Sequence, residues 1–153
     1  MHKPKYLYKS EKDLMAYEFI SEGPKGSIKK VIQYCETSIK NVYNLGFGDF
    51  DEITNTISDL TITNNDDSIK VLTTVASTVY SFLNKYPDAW IFAAGSTSAR
   101  TRLYRIGISN NLMDIKQDFE VYGLTKEGVW ADFIKDESYE AFLITKKGNT
   151  FAI

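Results

Sequence analysis

A chain of 153 residues, 43% hydrophobic and 25% charged, has the composition of one globular domain, long enough to bury roughly 70% of its unfolded surface. The net charge of −2 excludes the basic footprint of a general nucleic-acid binder, so no nucleic-acid partner is expected. One histidine, His2, and one cysteine, Cys35, exclude histidine-relayed nucleophiles, histidine-held zinc or iron, and an internal disulfide.

The start, MHKPKYLYKSEKD, has no apolar core of the kind a signal peptide carries, and no run approaches the ~18 apolar residues of a membrane span. A cytoplasmic protein with no membrane partner is the expectation. Residues 1–153 read as a single domain whose polar, Lys-rich segment 1–13 is expected to be loose. Cys35, in an apolar strand setting, reads as an inert core residue.

Leu14–Ser21 predicts a first strand, stopped by the turn residues Glu22-Gly23-Pro24-Lys25-Gly26. Ser27–Thr37 alternates as a second, with Ile32 and Tyr34 on one face and Val31, Gln33 and Cys35 on the other. Asn41–Phe50 is a third, placing Tyr43, Leu45 and Phe47 together, and its Gly46 and Gly48 suggest a bulge or a close backbone approach. After the turn Asp51–Asn55, Thr56–Thr63 returns as a fourth, completing an antiparallel meander. Asn64-Asn65-Asp66-Asp67 then caps a long helix. Its stripe of Ile69, Leu72, Val75, Ala76, Val79, Phe82 and Leu83 must lie on the sheet, and it ends near Asn84. Ala89–Ala94 is apolar without alternation, so both of its faces should be covered. A second helix runs from Ser98 to Ile106 with Gly107 placed to end it, and Asn110–Asp118 adds a short turn of helix. Phe119–Leu124, Val129–Ile134 and Tyr139–Thr145 close the chain as strands, the first two joined through Lys126-Glu127-Gly128.

The sequence is α+β, an antiparallel-rich mixed sheet with two main helices. Its chemistry concentrates where the buried strand meets the second helix. Gly95-Ser96-Thr97-Ser98 sits at a strand's carboxyl end and a helix N-terminus, a junction that offers free N–H groups to an anion. The chain's three arginines follow at once; Arg102 and Arg105 share a helix side, and Arg100 points elsewhere. They serve either an anionic ligand or the protein's own carboxylates. Two acidic groups, Asp49/Asp51/Glu52 and Asp59/Asp66/Asp67, lack a regular ligand spacing and read as turns and caps, so no metal site is assigned.

The order of elements resembles the GCN5-related acetyltransferase fold: meander, helix, strand, helix, closing strands. Leu103-Tyr104 followed by Gly107-Ile108 is similar to that family's last-helix pattern, and the resemblance implies acetyl-CoA as cofactor and Tyr104 as the acid that protonates the departing thiolate. The segment matching that family's pyrophosphate loop, Thr63–Ser68, has no glycine and two aspartates. The ribonuclease H-like layout is the second resemblance, carried by Thr63-Asn64-Asn65 ahead of the long helix. Where that family holds a metal-binding acid, this chain has Gly95 and Ser96. Over its whole length the sequence most resembles small uncharacterised bacterial proteins sharing EGPKGSI, YNLGFGD, TNN and GSTSARTRLYR, which supply no activity.

Three functions therefore stand open. The first is a non-catalytic module, without cofactor, that binds an anionic small molecule or protein partner through Gly95, Ser96, Thr97, Ser98, Arg100 and Arg102. The second is a divergent acyltransferase using Tyr104. The third is a structural or assembly role in which the arginines make ion pairs.

Overall fold

A computed structural model describes residues 4–58 and 62–150. Along the chain run β1 (Lys9–Ser10), β2 (Ala16–Gly23), β3 (Gly26–Glu36), β4 (Val42–Asp51), β5 (Thr56–Ile57), α1 (Ser68–Lys85), β6 (Trp90–Ala93), α2 (Ser98–Asn110), α3 (Leu112–Asp118), β7 (Phe119–Leu124), β8 (Trp130–Asp132) and β9 (Ala141–Lys146). The strands form one sheet in the order β1-β2-β3-β4-β6-β9-β7-β8, with β5 attached to β4 beside that path. Every pairing is antiparallel except β4 with β6. The α+β, antiparallel-rich class expected from the sequence is the class observed.

Alternation along the strands sorts the side chains. Tyr17, Phe19, Ile32, Tyr34, Leu45, Phe47, Ile91, Phe142, Ile144, Phe119 and Val121 share one buried cluster with Val71, Val75, Val79, Phe82 and Leu83 of α1. The opposite face carries a smaller cluster, Val42, Trp90 and Leu143, with Phe92 and Tyr122 against it. Strand β6 is thus covered on both faces, as its unbroken apolar run requires.

Several expectations are corrected. The fourth strand is only the two-residue β5; Ser58 still donates its N–H to the Asp49 carbonyl, Asp59, Leu60 and Thr61 lie outside the described residues, and Ile62 and Thr63 are not in a strand. Of the two alternatives for Gly46 and Gly48, the bulge is not formed, since both continue the β3 register, while the close backbone approach holds at Gly48, where a side chain would press on the Ser58 carbonyl. Cys35 is exposed, not core. Ile69 is 60% exposed and outside the stripe it was assigned to. Gly107 does not end α2: it lies buried inside the helix, facing Leu72 of α1, and α2 continues to Asn110.

Helix α1 is buried almost all round from Val71 to Val79, including Thr73, Thr74, Ser77 and Thr78. Residues 4–13, expected to be loose, explain part of this. The Tyr6 N–H donates to Thr74 Oγ1 at 2.8 Å, Lys5 Nζ to Ser77 Oγ at 3.0 Å, and the Tyr8 hydroxyl lies 3.0 Å from Ser81 Oγ. From the sheet side the Tyr34 hydroxyl meets Thr78 Oγ1 at 2.8 Å while its ring stacks on Phe82 at 4.2 Å. The hydroxyls of Thr74, Ser77, Thr78 and Ser81 are therefore met by tyrosines and the N-terminal segment, whereas the buried Thr73 Oγ1 has no hydrogen-bond partner among the described residues.

A buried polar network fixes the approach to α1. Lys30, with no exposed surface, pairs with Asp49 at 2.5 Å and donates to the Thr63 carbonyl at 2.8 Å. Thr63 returns its N–H and hydroxyl to Asp49. Asn65, 1% exposed, donates to the Gly26 carbonyl and accepts from the Lys25 N–H, both at 2.8 Å. A side chain on Gly23 would collide with the Asn65 backbone, so the β2–β3 hairpin and this loop can meet only at glycine. The capping expected of Asn64–Asp67 takes another form. Asp67 holds the N-cap position without a side-chain cap bond; its carboxylate accepts from the Tyr6 and Ser21 hydroxyls instead.

Removing Lys30 would leave Asp49 buried with only Thr63 for company. Lys30→Ala is expected to cost about 3 kcal/mol or more in chemical denaturation, and Lys30→Met with Asp49→Leu to recover much of the loss. A cost within experimental error would show that the pair holds nothing together.

Candidate functional site

The apolar run of β6 ends at Ala93, and the chain must turn before α2 begins. Gly95 makes that turn possible, because a Cβ there would overlap the Arg100 side chain and the Thr101 backbone nitrogen. The Gly95 N–H donates to Thr101 Oγ1 at 3.0 Å, and the Thr101 hydroxyl donates to the Thr97 carbonyl at 3.1 Å. Thr97 is the N-cap, its Oγ1 accepting from the Arg100 N–H at 3.2 Å. The N–H groups of Ser98 and Ala99 have no partner among the described residues. No acidic residue occupies the first turn, so the positive end of the helix stays uncompensated.

Two concavities flank this turn. The larger, a cleft of about 710 Å³, has Gly95–Ala99 as floor and Thr101, Arg102 and Arg105 as one wall. Lys126 from the β7–β8 turn, with Ser138, Tyr139 and Glu140 from the approach to β9, forms the other. Ser98, Arg102 and Arg105 are spaced by four and three residues, which stacks them on one side of α2. The ion pairs among the described residues are Lys29–Glu18 and Lys30–Asp49; neither Arg102 nor Arg105 joins one.

The second concavity, about 430 Å³, is a notch in the sheet. Strands β4 and β6 pair only over Val42–Asn44 and Trp90–Phe92, then part. Leu45–Phe47 line one side of the gap and Ala94–Ser96 the other, with Arg100 and Tyr104 also bordering it. Arg100 reaches across it, its Nη2 donating to the Ser58 carbonyl at 3.0 Å and its Nη1 to Ser96 Oγ at 3.3 Å. Tyr104 is 9% exposed. Burial pushes its hydroxyl up to about 12, against a smaller downward pull from the Arg100 charge, so it stays a protonated phenol at neutral pH.

The residues singled out from sequence are therefore divided. Gly95 and Ser96 border both concavities; Thr97, Ser98 and Arg102 belong to the cleft; Arg100 and Tyr104 belong to the notch. Arg105, grouped with Arg102 by spacing but left out of the site, lines the same cleft. Lys126, Ser138, Tyr139 and Glu140 were missed, since only the pairing of β7 with β8 and β9 brings them opposite α2. Of the acids, Asp49 and Asp67 serve the network before α1, and Asp51 accepts from the Ile53 N–H at 2.9 Å within its own turn. Among the described residues no group of three His, Cys, Asp or Glu is placed to hold a metal ion. His2 and Asp59 lie outside them.

No helix among the described residues is long and apolar enough to cross a membrane. Neither curated proteins nor solved structures gave a match to this chain. The model of a family described as a family of unknown function, DUF6934, matches residues 2–147, and the chain belongs to that family.

Proposed function

We propose that the protein is a non-catalytic module that binds an anionic group in the cleft beside Gly95–Ser98. The observation that carries this reading is the convergence of three cations, Arg102, Arg105 and Lys126, on the cleft into which the open N-terminus of α2 faces. Guanidinium groups and unpartnered helix N–H groups are complementary to phosphate and carboxylate, and a volume of about 710 Å³ suits a small molecule. Ser96, Thr97 and Ser98 add hydroxyl donors at the floor. The absence of ion pairs to Arg102 and Arg105 among the described residues weighs against a purely structural use of those two side chains. Arg100 plays a different part: it braces the turn against the Ser58 carbonyl and shapes the site without lining the cleft.

A second reading keeps the acyltransferase resemblance, with acetyl-CoA as cofactor and Tyr104 as general acid. It is favoured by one feature, the parting of the parallel pair β4 and β6 beside a tyrosine that remains protonated at neutral pH. The acidic, glycine-free start of α1 counts against it, because Asp66 and Asp67 stand where that family receives a pyrophosphate.

Calorimetric titration with inorganic phosphate is expected to give a Kd of about 1 mM or tighter, and Arg102→Ala or Arg105→Ala to weaken it about tenfold each, ~1.4 kcal/mol. No heat at millimolar phosphate would overturn the binding reading. For the second reading, free thiol released from acetyl-CoA with an amine acceptor should fall about a hundredfold in Tyr104→Phe at unchanged melting temperature. Absence of thiol release from the unaltered protein over a panel of amines would remove it.

A further inference from the structure

The cleft wall facing α2 carries information about the rest of the ligand. Resting on the anion-binding reading above, we propose that the cleft takes a phosphomonoester of a hydroxyl-rich body, of the sugar-phosphate class, with Glu140 reading a hydroxyl of that body. Three cations against one carboxylate suit a head group carrying two negative charges, as a phosphomonoester does above pH ~6. Glu140 is exposed, joins none of the ion pairs among the described residues, and lines the same cleft as Arg102 and Arg105. An ionised carboxylate only accepts hydrogen bonds, and it repels the phosphate that the opposite wall attracts. Its contribution must therefore go to a hydroxyl donor on the part of the ligand away from the phosphate. Ser138 lines the same cleft and offers a second hydroxyl partner.

The cleft's one aromatic residue argues against a nucleotide base. Tyr139 is only 9% exposed. Its ring lies so close to Gly123 that any side chain there would collide with it, and Phe133 and Phe142 pack at 5.4 and 6.1 Å between ring centres. Its hydroxyl is also engaged, accepting from the Ile134 N–H at 3.0 Å. No ring face is left on which a base could stack, so a polar sugar fits this wall better.

Calorimetry with inorganic phosphate, ribose 5-phosphate, adenosine 5′-monophosphate and unphosphorylated ribose separates the possibilities. Ribose 5-phosphate should bind about tenfold more tightly than inorganic phosphate, the nucleotide no more tightly than ribose 5-phosphate, and ribose undetectably. Glu140→Gln, which keeps an amide acceptor but loses the charge, should reduce the advantage of ribose 5-phosphate, and Glu140→Ala, which removes the acceptor at an exposed position, should abolish it, both leaving phosphate itself as tight or tighter. Equal affinities for phosphate and ribose 5-phosphate, a nucleotide preference of tenfold or more, or an unaltered advantage in Glu140→Ala would each overturn the proposal while leaving anion binding intact. Silence with every phosphate would instead overturn the reading on which it rests.

Discussion

Four residues hold the two halves of the sheet together. Among the described residues, strand β6, Trp90–Ala93, joins β4 to the closing strands, pairing parallel with β4 on one side and antiparallel with β9 on the other. Its shortness governs what surrounds it. Because β4 runs on to Asp51 after β6 has stopped, a notch opens between them. Because β6 stops at Ala93, the chain must turn within a few residues and start α2 close to the sheet, a geometry that only Gly95 tolerates. The candidate site follows from an early strand end at the junction of two antiparallel units.

The two long helices begin in opposite ways, and the contrast locates the chemistry. The approach to α1 is closed: Thr63, Asn65 and Asp67 are each bonded to neighbouring strands or to Tyr6, and two aspartates already supply negative charge there. Helix α2 begins with hydroxyl residues, no acid in its first turn, and the N–H groups of Ser98 and Ala99 unpartnered among the described residues. On the reading proposed above, a negative guest would be repelled from the first helix start and attracted to the second. The buried network fixes the approach to α1, and Gly107 of α2 lets the two helices meet at Leu72.

Much of the fold was legible because the core strands alternate cleanly. Ile32 with Tyr34, and Leu45 with Phe47, fall on the face predicted, and β7 begins and ends where the sequence placed it. The failures share a cause. Thr56–Thr63 has strand-like composition, but its Thr63 is captured by Asp49, a contact that no local pattern announces. Gly107 looked like a helix stop; tertiary packing against Leu72 explains it better than backbone freedom does. Cys35 follows the buried Tyr34 in a strand, yet alternation puts it on the opposite face with Gln33, where it is exposed. At the site, local sequence revealed the turn and the arginine stripe. The facing wall of Lys126 and Glu140 depends on β9 lying between β6 and β7, a non-local pairing.

The most direct test of the central claim is where an anion perturbs the protein. In amide-resolved NMR with phosphate added, the largest shifts are expected at Ser96–Ala99 and Arg102, with smaller ones at Lys126 and none along β1–β3. Shifts centred on the start of α1 near Ser68, or spread over surface lysines without a focus at Gly95–Ala99, would contradict the account.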